Sequence, residues 1–157
     1  MFDRLRARLW RLAFRLYPAY RGTGGRVTYI APDWSEVRVR IPRNWRTRNY
    51  VGTTFGGSMY GAVDPIYMLM LIKRLGDGYV VWDKAAVIRF EKPGKSDLYA
   101  TCELPEEEVA AVRRELADPD TDSIDREYAI ELVDDEGVVH ATVEKTLYVS
   151  TDREKGA

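Results

Sequence analysis

The stretch NYVGTTFGGSMYGAVDPIYMLMLIKRLG, residues 49–76, contains the longest apolar run of the chain, a glycine pair and a single acid, Asp64, directly before Pro65. Its low charge and apolar spacing predict a buried helix near residues 59–72. An acid inside such a segment either caps a helix or takes part in chemistry. The position of Asp64 therefore links the fold to the function.

Two interpretations of this helix remain open from the residues alone. In the first, the helix begins at Pro65 with Asp64 as its N-cap and Gly76 after its end, because Asp is favoured at N-cap and Pro at N1. In the second, the helix begins at Gly56 or Gly57 and continues past Pro65 with a kink. The glycine N–H groups can then hold an anion or oxyanion, about 10 Å along the axis from Asp64.

The flanking sequence predicts an antiparallel sheet around this helix. In residues 35–42, for example, Val37, Val39 and Ile41 alternate with charged residues, as in a half-buried strand. The predicted order is helix, two strands, central helix, two strands, helix, two strands. About six mostly antiparallel strands packed on a central helix define an α+β fold. The other predicted strands are residues 26–31, 79–91, 98–104, 124–133 and 138–150, and a further helix is predicted over 105–116.

The N-terminal segment FDRLRARLWRLAFRLYP, residues 2–18, predicts an amphipathic helix that ends at Pro18. Residues 1–50 contain 12 arginines and three acids, a balance of +9, and the remainder carries −10. We expect the leucine face to pack on the domain or on a partner subunit; the alternative is peripheral contact with an anionic membrane. The leucine stripe is Leu5, Leu9, Leu12 and Leu16, and the arginine row beside it is Arg4, Arg8, Arg11 and Arg15.

Composition excludes several classes of protein. The chain has no run of about 18 apolar residues, so no spanning helix is predicted. The single cysteine, Cys102, is consistent with the reducing cytoplasm. One cysteine and one histidine, His140, are too few ligands for a Cys/His zinc site. We predict no metal, cofactor or nucleic-acid partner. His140 has no identifiable paired acid and is read as a solvated or satisfied strand residue. Residues 1–157 are expected to form one domain, with a flexible tail from residue 151.

Several segments of the sequence resemble a known family. Residues 49–72, with RGTGGRV before them and VVWDKAAVIRFEKPGK and VEKTLYV after them, closely resemble DUF4442, a family similar to the PaaI-type hotdog-fold thioesterases. The likeness extends from about residue 17 to residue 150. It implies a hotdog fold, in which the sheet wraps around the central helix.

The resemblance also implies roles for individual residues. Asn49 lies six residues before Phe55, Phe55-Gly56-Gly57 occupies the His-Gly-Gly position of PaaI-type enzymes, and Asp64 falls where their catalytic acid lies. The N–H of Gly57 would polarise the thioester carbonyl. Asp64, from the other subunit, would act as general base or nucleophile, and Asn49 would position water or the carbonyl. Phe55 stands where the PaaI-type enzymes have a histidine.

The resulting hypothesis is an acyl-CoA or other acyl-thioester hydrolase, assembled as a homodimer or homotetramer. Two alternatives remain: a non-catalytic acyl-CoA or lipid-binding module, which Phe55 suggests, and a purely structural oligomer. Arginines of the loop before Asn49 are candidates for binding the CoA phosphates. The predicted substrate-binding residues are Arg43, Arg46, Arg48, Thr54, Phe55, Gly56, Tyr60, Tyr67 and Met68.

Overall fold

The computed structural model describes residues 2–151, with side chains from residue 5 onward. Helices and strands follow one another much as the sequence predicts. In chain order they are α1 (Phe2–Leu16), α2 (Pro18–Thr23), β1 (Arg26–Ile30), β2 (Glu36–Ile41), α3 (Gly56–Val63), α4 (Ile66–Leu75), β3 (Tyr79–Phe90), β4 (Leu98–Glu103), α5 (Glu106–Leu116), β5 (Ser123–Val133) and β6 (Val139–Thr151).

Within residues 2–151, six strands form one antiparallel sheet in the order β1-β2-β4-β5-β6-β3. The alternation read from the sequence is confirmed, because Val37, Val39 and Ile41 are buried while Arg38 is exposed. β3 lies at one edge of the sheet and pairs only with β6 among the described strands. The register of β3 shifts between Asp83 and Ala85.

α3 and α4 bury their apolar side chains against the inner face of the sheet, which gives the predicted α+β arrangement. Ala62 and Val63 at the end of α3, and Met70 and Leu71 in α4, are fully buried. The inner face of β6 supplies further apolar side chains and one charged residue, Lys145, which is also buried. The core therefore lies between this helical segment and the centre of the sheet.

The N-terminal helix forms as predicted, but its leucines do not pack on this chain. The four leucines of the stripe are 49% to 62% exposed, whereas Ala7 and Phe14 are buried. Trp10 packs edge-on against Trp34, with ring centroids 5.5 Å apart. Ala7, Trp10 and Phe14 form a second stripe with helical spacing, and their aromatic rings bury a large area. The expectation that the leucines pack on the domain is thus wrong.

Two smaller differences concern the ends of the chain. The short helix α2 was not predicted; it begins at Pro18 and ends before Gly24, whose φ of 78° suits glycine. Thr151, placed in the flexible tail, is the last residue of β6, and the rest of that tail, residues 152–157, lies outside the described residues. Within residues 2–151, no helix combines the length and apolarity needed to cross a bilayer.

Candidate active site

The central helix is interrupted at Asp64 and Pro65. Asp64 has helical backbone angles (φ −49°, ψ −53°), and its N–H donates to the carbonyl of Tyr60 at 2.9 Å, so it continues α3. α4 begins at Ile66, and among the described residues no side chain caps its N-terminus. The N-cap interpretation of Asp64 is therefore wrong. The helix starts at the glycine pair, as in the second interpretation, but Asp64 and Pro65 separate α3 from α4 where that interpretation has one kinked helix.

The side chain of Asp64 contacts a buried lysine. Lys145 Nζ lies 3.1 Å from Asp64 Oδ1 and 2.7 Å from Asp83 Oδ1, and it also donates a hydrogen bond to the main-chain carbonyl of Asp64. The Lys145 side chain is 0% exposed, whereas that of Asp64 is 40% exposed. Lys145 thus holds one carboxylate oxygen of Asp64 from the protein interior, and the carboxylate stays accessible to solvent. We call Asp64, Asp83 and Lys145 the buried charge cluster.

In the buried charge cluster, two nearby carboxylates offset the positive charge of the buried Lys145. An ammonium group buried in a protein costs several kcal/mol unless opposite charges and hydrogen bonds surround it. Lys145 has both, and it lies at the C-terminus of α3, where the helix dipole favours a cation. Burial raises the pKa of Asp83, with Lys145 opposing this and Asp64 adding to it.

Tyr60, one helical turn before Asp64, completes the surroundings of the carboxylate. Burial raises the pKa of Tyr60, and the nearby Asp64 carboxylate raises it further. The phenol is therefore a neutral hydrogen-bond donor at physiological pH. Tyr60 was predicted to contact substrate, and the structure places it between the helix and the charge cluster, with Lys145 Nζ 6.0 Å from its ring centroid.

At the other end of α3, two aromatic rings lie over the glycine pair. A Cβ on Gly57 would fall 2.4 Å from the ring of Phe55, and one on Gly56 would fall 2.8 Å from the ring of Phe90. Both rings are exposed. The N–H groups of Ser58 and Met59 donate to the carbonyl of Phe55, whereas among the described residues those of Gly56 and Gly57 have no acceptor. This glycine end can therefore bind an oxyanion that reaches it past Phe55 and Phe90.

A cavity of about 360 Å³ opens beside the glycine end, lined in part by Asn49, Thr54, Gly56 and Phe90. The amide of Asn49 is already engaged, since its Nδ2 donates to Thr53 Oγ1 at 2.9 Å and its Oδ1 accepts from the Thr53 N–H at 3.0 Å. Asn49 thus shapes the loop before α3. Of the predicted site residues, Asn49, Thr54 and Gly56 line this cavity, whereas Phe55, Gly57 and Asp64 do not.

Other predicted substrate-binding residues lie away from this cavity. Tyr67 stacks on Tyr128 with ring centroids 4.4 Å apart and donates to the carbonyl of Glu103 at 3.2 Å. Burial raises the pKa of Tyr67 to about 12. Met68 is half-buried and packs against the core. Both side chains contribute to the packing of α4.

The three loop arginines have separate surroundings. Arg43 donates to the carbonyl of Gly52 at 2.9 Å, and Arg46 donates to the carbonyl of Arg21, also at 2.9 Å. Arg48 is exposed and forms a main-chain bridge with Thr54. Arg46 lines a groove under α1 that the other two do not line. On this chain they therefore do not form one phosphate-binding cluster.

Sequence analysis missed Lys145 and Asp83. Lys145 was the one residue that broke the apolar face of the last predicted strand, and Asp83 was the one acid in the interior of the predicted strand 79–91, whose last residue is Glu91. Each was a charged residue at a position that the pattern predicts to be buried. A search for opposite charges at such positions could have paired them with Asp64.

His140 also differs from the expectation. It is buried, and its Nε2 lies 2.9 Å from Asp134 Oδ2, so a paired acid exists. This contact lowers the pKa of Asp134, as do hydrogen bonds from the N–H groups of Val138 and Glu136. The pair closes the turn between β5 and β6. His140 is thus a buried structural residue and not a solvated one: Asp134 engages its Nε2, and among the described residues its Nδ1 has no hydrogen-bond partner.

Comparison with known proteins now adds to this geometry. A family model described as a domain of unknown function, DUF4442, matches residues 6–149. The chain belongs to the DUF4442 family. No curated protein matches the sequence.

Solved structures with the same architecture include three bacterial proteins. A protein of unknown function from Pseudomonas aeruginosa, named a probable thioesterase, is 20% identical, with a TM-score of 0.79 over 92% of this chain and 95% of that one. A thioesterase from Haemophilus influenzae is 15% identical, with a TM-score of 0.65 over 92% and 90%. A protein of unknown function from Chlorobaculum tepidum is 13% identical, with a TM-score of 0.75 over 96% and 97%. These matches establish the fold, which is the expected hotdog fold of this DUF4442 protein.

Proposed function

We propose that this protein hydrolyses acyl thioesters, with Asp64 as general base. The observation that carries the proposal is the accessible Asp64 carboxylate, held by a buried lysine at one end of a helix whose other end offers free N–H groups. The two structures of proteins named as thioesterases support the same chemistry. The expected substrates are acyl-CoA and other acyl thioesters.

The reaction needs few groups. Asp64 takes a proton from water as the water oxygen bonds to the thioester carbonyl carbon. The carbonyl oxygen becomes negative and is stabilised by the N–H of Gly57 at the helix N-terminus. When the tetrahedral intermediate collapses, the carbon–sulfur bond breaks. The thiolate leaves and takes the proton that Asp64 accepted, which regenerates the Asp64 carboxylate, and the acid product leaves with the new oxygen.

One chain cannot supply both groups to one carbonyl, because Gly57 and Asp64 lie about 10 Å apart along α3. β3 suggests how a second copy supplies the missing half. Residues 84–87, in the middle of β3, are exposed, and three of the four are apolar. An exposed apolar edge strand favours pairing with another strand.

Such pairing would bring unlike ends of α3 together. In each chain, Phe90 lies over the glycine end, and Asp83 lies in the buried charge cluster beside Asp64. If two β3 strands pair antiparallel about a two-fold axis between residues 86 and 87, residue 83 of one chain lies opposite residue 90 of the other. Asp64 of one copy then approaches the glycine end of its partner, which gives two shared sites per dimer.

The activity test is thiol release from a panel of acyl-CoA substrates by the wild type and by Asp64→Asn. We expect turnover to fall about 10²- to 10⁴-fold in the variant while the fold is retained. Asp120→Asn is the matched control, because Asp120 is exposed and lies outside both the buried charge cluster and the β3 edge. Equal turnover in the wild type and Asp64→Asn would reject Asp64 as the base.

A mixing experiment tests the shared site. Asp64→Asn and Gly57→Val each damage both sites of a homodimer, but a mixed dimer contains one site with neither change. Activity that reappears when the two inactive variants are exchanged into mixed dimers supports a site built from two copies. If mixing restores nothing although mixed dimers form, the shared arrangement is wrong.

A binding module without turnover is the second candidate, and the position of Phe55 favours it. The ring of Phe55 touches Gly57 where the PaaI-type pattern has a histidine. If acyl-CoA binds with micromolar affinity in calorimetry but no thiol is released by the wild type, this candidate replaces hydrolysis. Phe55→His would then be the variant to assay for gain of turnover.

A further inference from the structure

The N-terminal helix has two opposite apolar faces. Its inner face is fixed to the domain: Trp10 packs on Trp34, Lys73 Nζ lies 4.4 Å from the Trp10 ring centroid, and Phe14 packs on Tyr20 with ring centroids 4.9 Å apart. At 100° per residue the leucine stripe lies about 180° from Ala7 and Phe14. The leucines therefore point away from the domain, on a helix that Trp10 and Phe14 hold against it.

Arginines border the leucine stripe on one side. Arg8, Arg11 and Arg15 lie about a quarter turn around α1 from the stripe. None of the three makes an ion pair with a residue in the described part of the chain. All three are exposed, so their charges are available to an external anion.

These arginines also line a groove between α1 and the start of the sheet. The groove encloses about 810 Å³, and among the described residues no carboxylate lines it. Leu12 and Leu16 belong both to its lining and to the exposed stripe, so the basic groove and the apolar face adjoin. Its seven arginines are Arg8, Arg11, Arg15, Arg21, Arg26, Arg40 and Arg46.

We propose that α1 docks the protein on an anionic lipid bilayer, with the leucine stripe among the acyl chains and the arginine groove on the lipid phosphates. An amphipathic helix that lies in the interface buries its apolar face about 5–10 Å below the headgroups, with Arg on its polar side. Arginine forms paired hydrogen bonds with phosphate. Because the leucines and arginines lie a quarter turn apart on α1, the leucines can reach the acyl chains while the arginines stay at the level of the phosphates.

Charge favours a bilayer over a second copy of the chain. If two leucine stripes packed face to face in antiparallel orientation, the arginine rows beside them would approach each other, and like charges repel. An anionic bilayer offers negative charge at the level of the arginines and hydrocarbon at the level of the leucines. Each arginine near such a surface contributes about five-fold to binding.

The test is co-sedimentation of the full chain with two kinds of vesicle, phosphatidylcholine alone and phosphatidylcholine with about a third phosphatidylglycerol. We expect binding to the anionic vesicles only, weakened at about 0.5 M salt. Arg11→Gln with Arg15→Gln should weaken binding about 25-fold. Leu9→Gln with Leu12→Gln should abolish it. Because all four side chains are exposed, circular dichroism should remain unchanged.

The matched control carries Lys95→Gln and Arg114→Gln, two exposed basic residues outside α1 and its groove. It removes the same charge and should bind like the wild type. Absence of binding at low salt would overturn the proposal, and so would equal binding to neutral vesicles or equal weakening by the control. If the leucine variant instead lowers the mass in light scattering, the stripe is an interface between copies and the proposal is wrong.

Discussion

At its N-terminal end α3 presents backbone N–H groups beside two exposed aromatic rings, whereas at its C-terminal end it presents a carboxylate held by a fully buried ammonium. The first end depends on the absence of side chains at Gly56 and Gly57. The second depends on three charges whose separation is fixed by the sheet. Steric freedom thus shapes one half of the candidate site and electrostatics the other, so substitutions at the two ends should differ in kind.

The largest expected effect is at the charged end. Lys145→Met leaves Asp64 and Asp83 without their cation, and removing one partner of a buried ion pair costs about 3–5 kcal/mol in the free energy of unfolding. Urea denaturation measures this cost. Arg38→Met is the control, because Arg38 pairs with Glu36 at an exposed position outside the proposed β3 interface, where such pairs contribute about 0–1 kcal/mol. Equal losses in the two variants would contradict the cluster.

A smaller effect is expected at the glycine end. Gly57→Ala places a methyl group against the exposed ring of Phe55, which can rotate away, so we expect a change in unfolding free energy below about 1 kcal/mol. Gly25→Ala is the contrasting control, since its Cβ would lie 2.5 Å from the Cβ of buried Ala62 in α3. Overpacking there should cost about 1–3 kcal/mol. Thermal denaturation of both variants compares them, and a Gly57→Ala loss as large as that of Gly25→Ala would contradict the expectation.

The smallest effect concerns pH. Because burial raises the pKa of Asp83, the folded chain keeps this proton at pH values where the unfolded chain, with an ordinary pKa of 3.8, has lost it. The contribution of Asp83 to stability therefore decreases as pH rises through this window and increases as pH falls. The difference between the urea midpoints of the wild type and Asp83→Asn, measured from acid to neutral pH, should show this dependence, because the other acids contribute equally to both proteins. If this difference stays constant with pH, Asp83 does not make the contribution.

Much of the fold could be predicted because its signals are local. Alternation in β2 and helical spacing in α1 and α5 depend on neighbours within a few residues. The interruption at Pro65 was one of two local alternatives, and the missing side-chain cap on α4 decides between them. The likeness to DUF4442 pointed to the glycine end and to Asp64, but only the folded structure shows that Asp64 contacts Lys145.

The remainder depends on contacts that local patterns do not contain. Which apolar stripe of α1 faces the domain is decided by Trp34, which lies outside the helix and packs on Trp10. Asn49 has the expected position in the sequence, but the hydrogen bonds of its amide follow from the loop conformation. Lysine is rarely buried, so the residue type alone predicts that Lys145 is exposed.

The position of Lys145 in the sequence also bears on folding kinetics. Asp64 and Lys145 are 81 residues apart, and their contact requires both the completed α3 and the pairing of β6 with β3. A contact that closes so long a loop forms after most of the chain is ordered. The cluster should therefore be absent from the folding transition state. Its stabilising energy would then slow unfolding and leave the folding rate unchanged, which makes the buried lysine a determinant of how long the native protein persists.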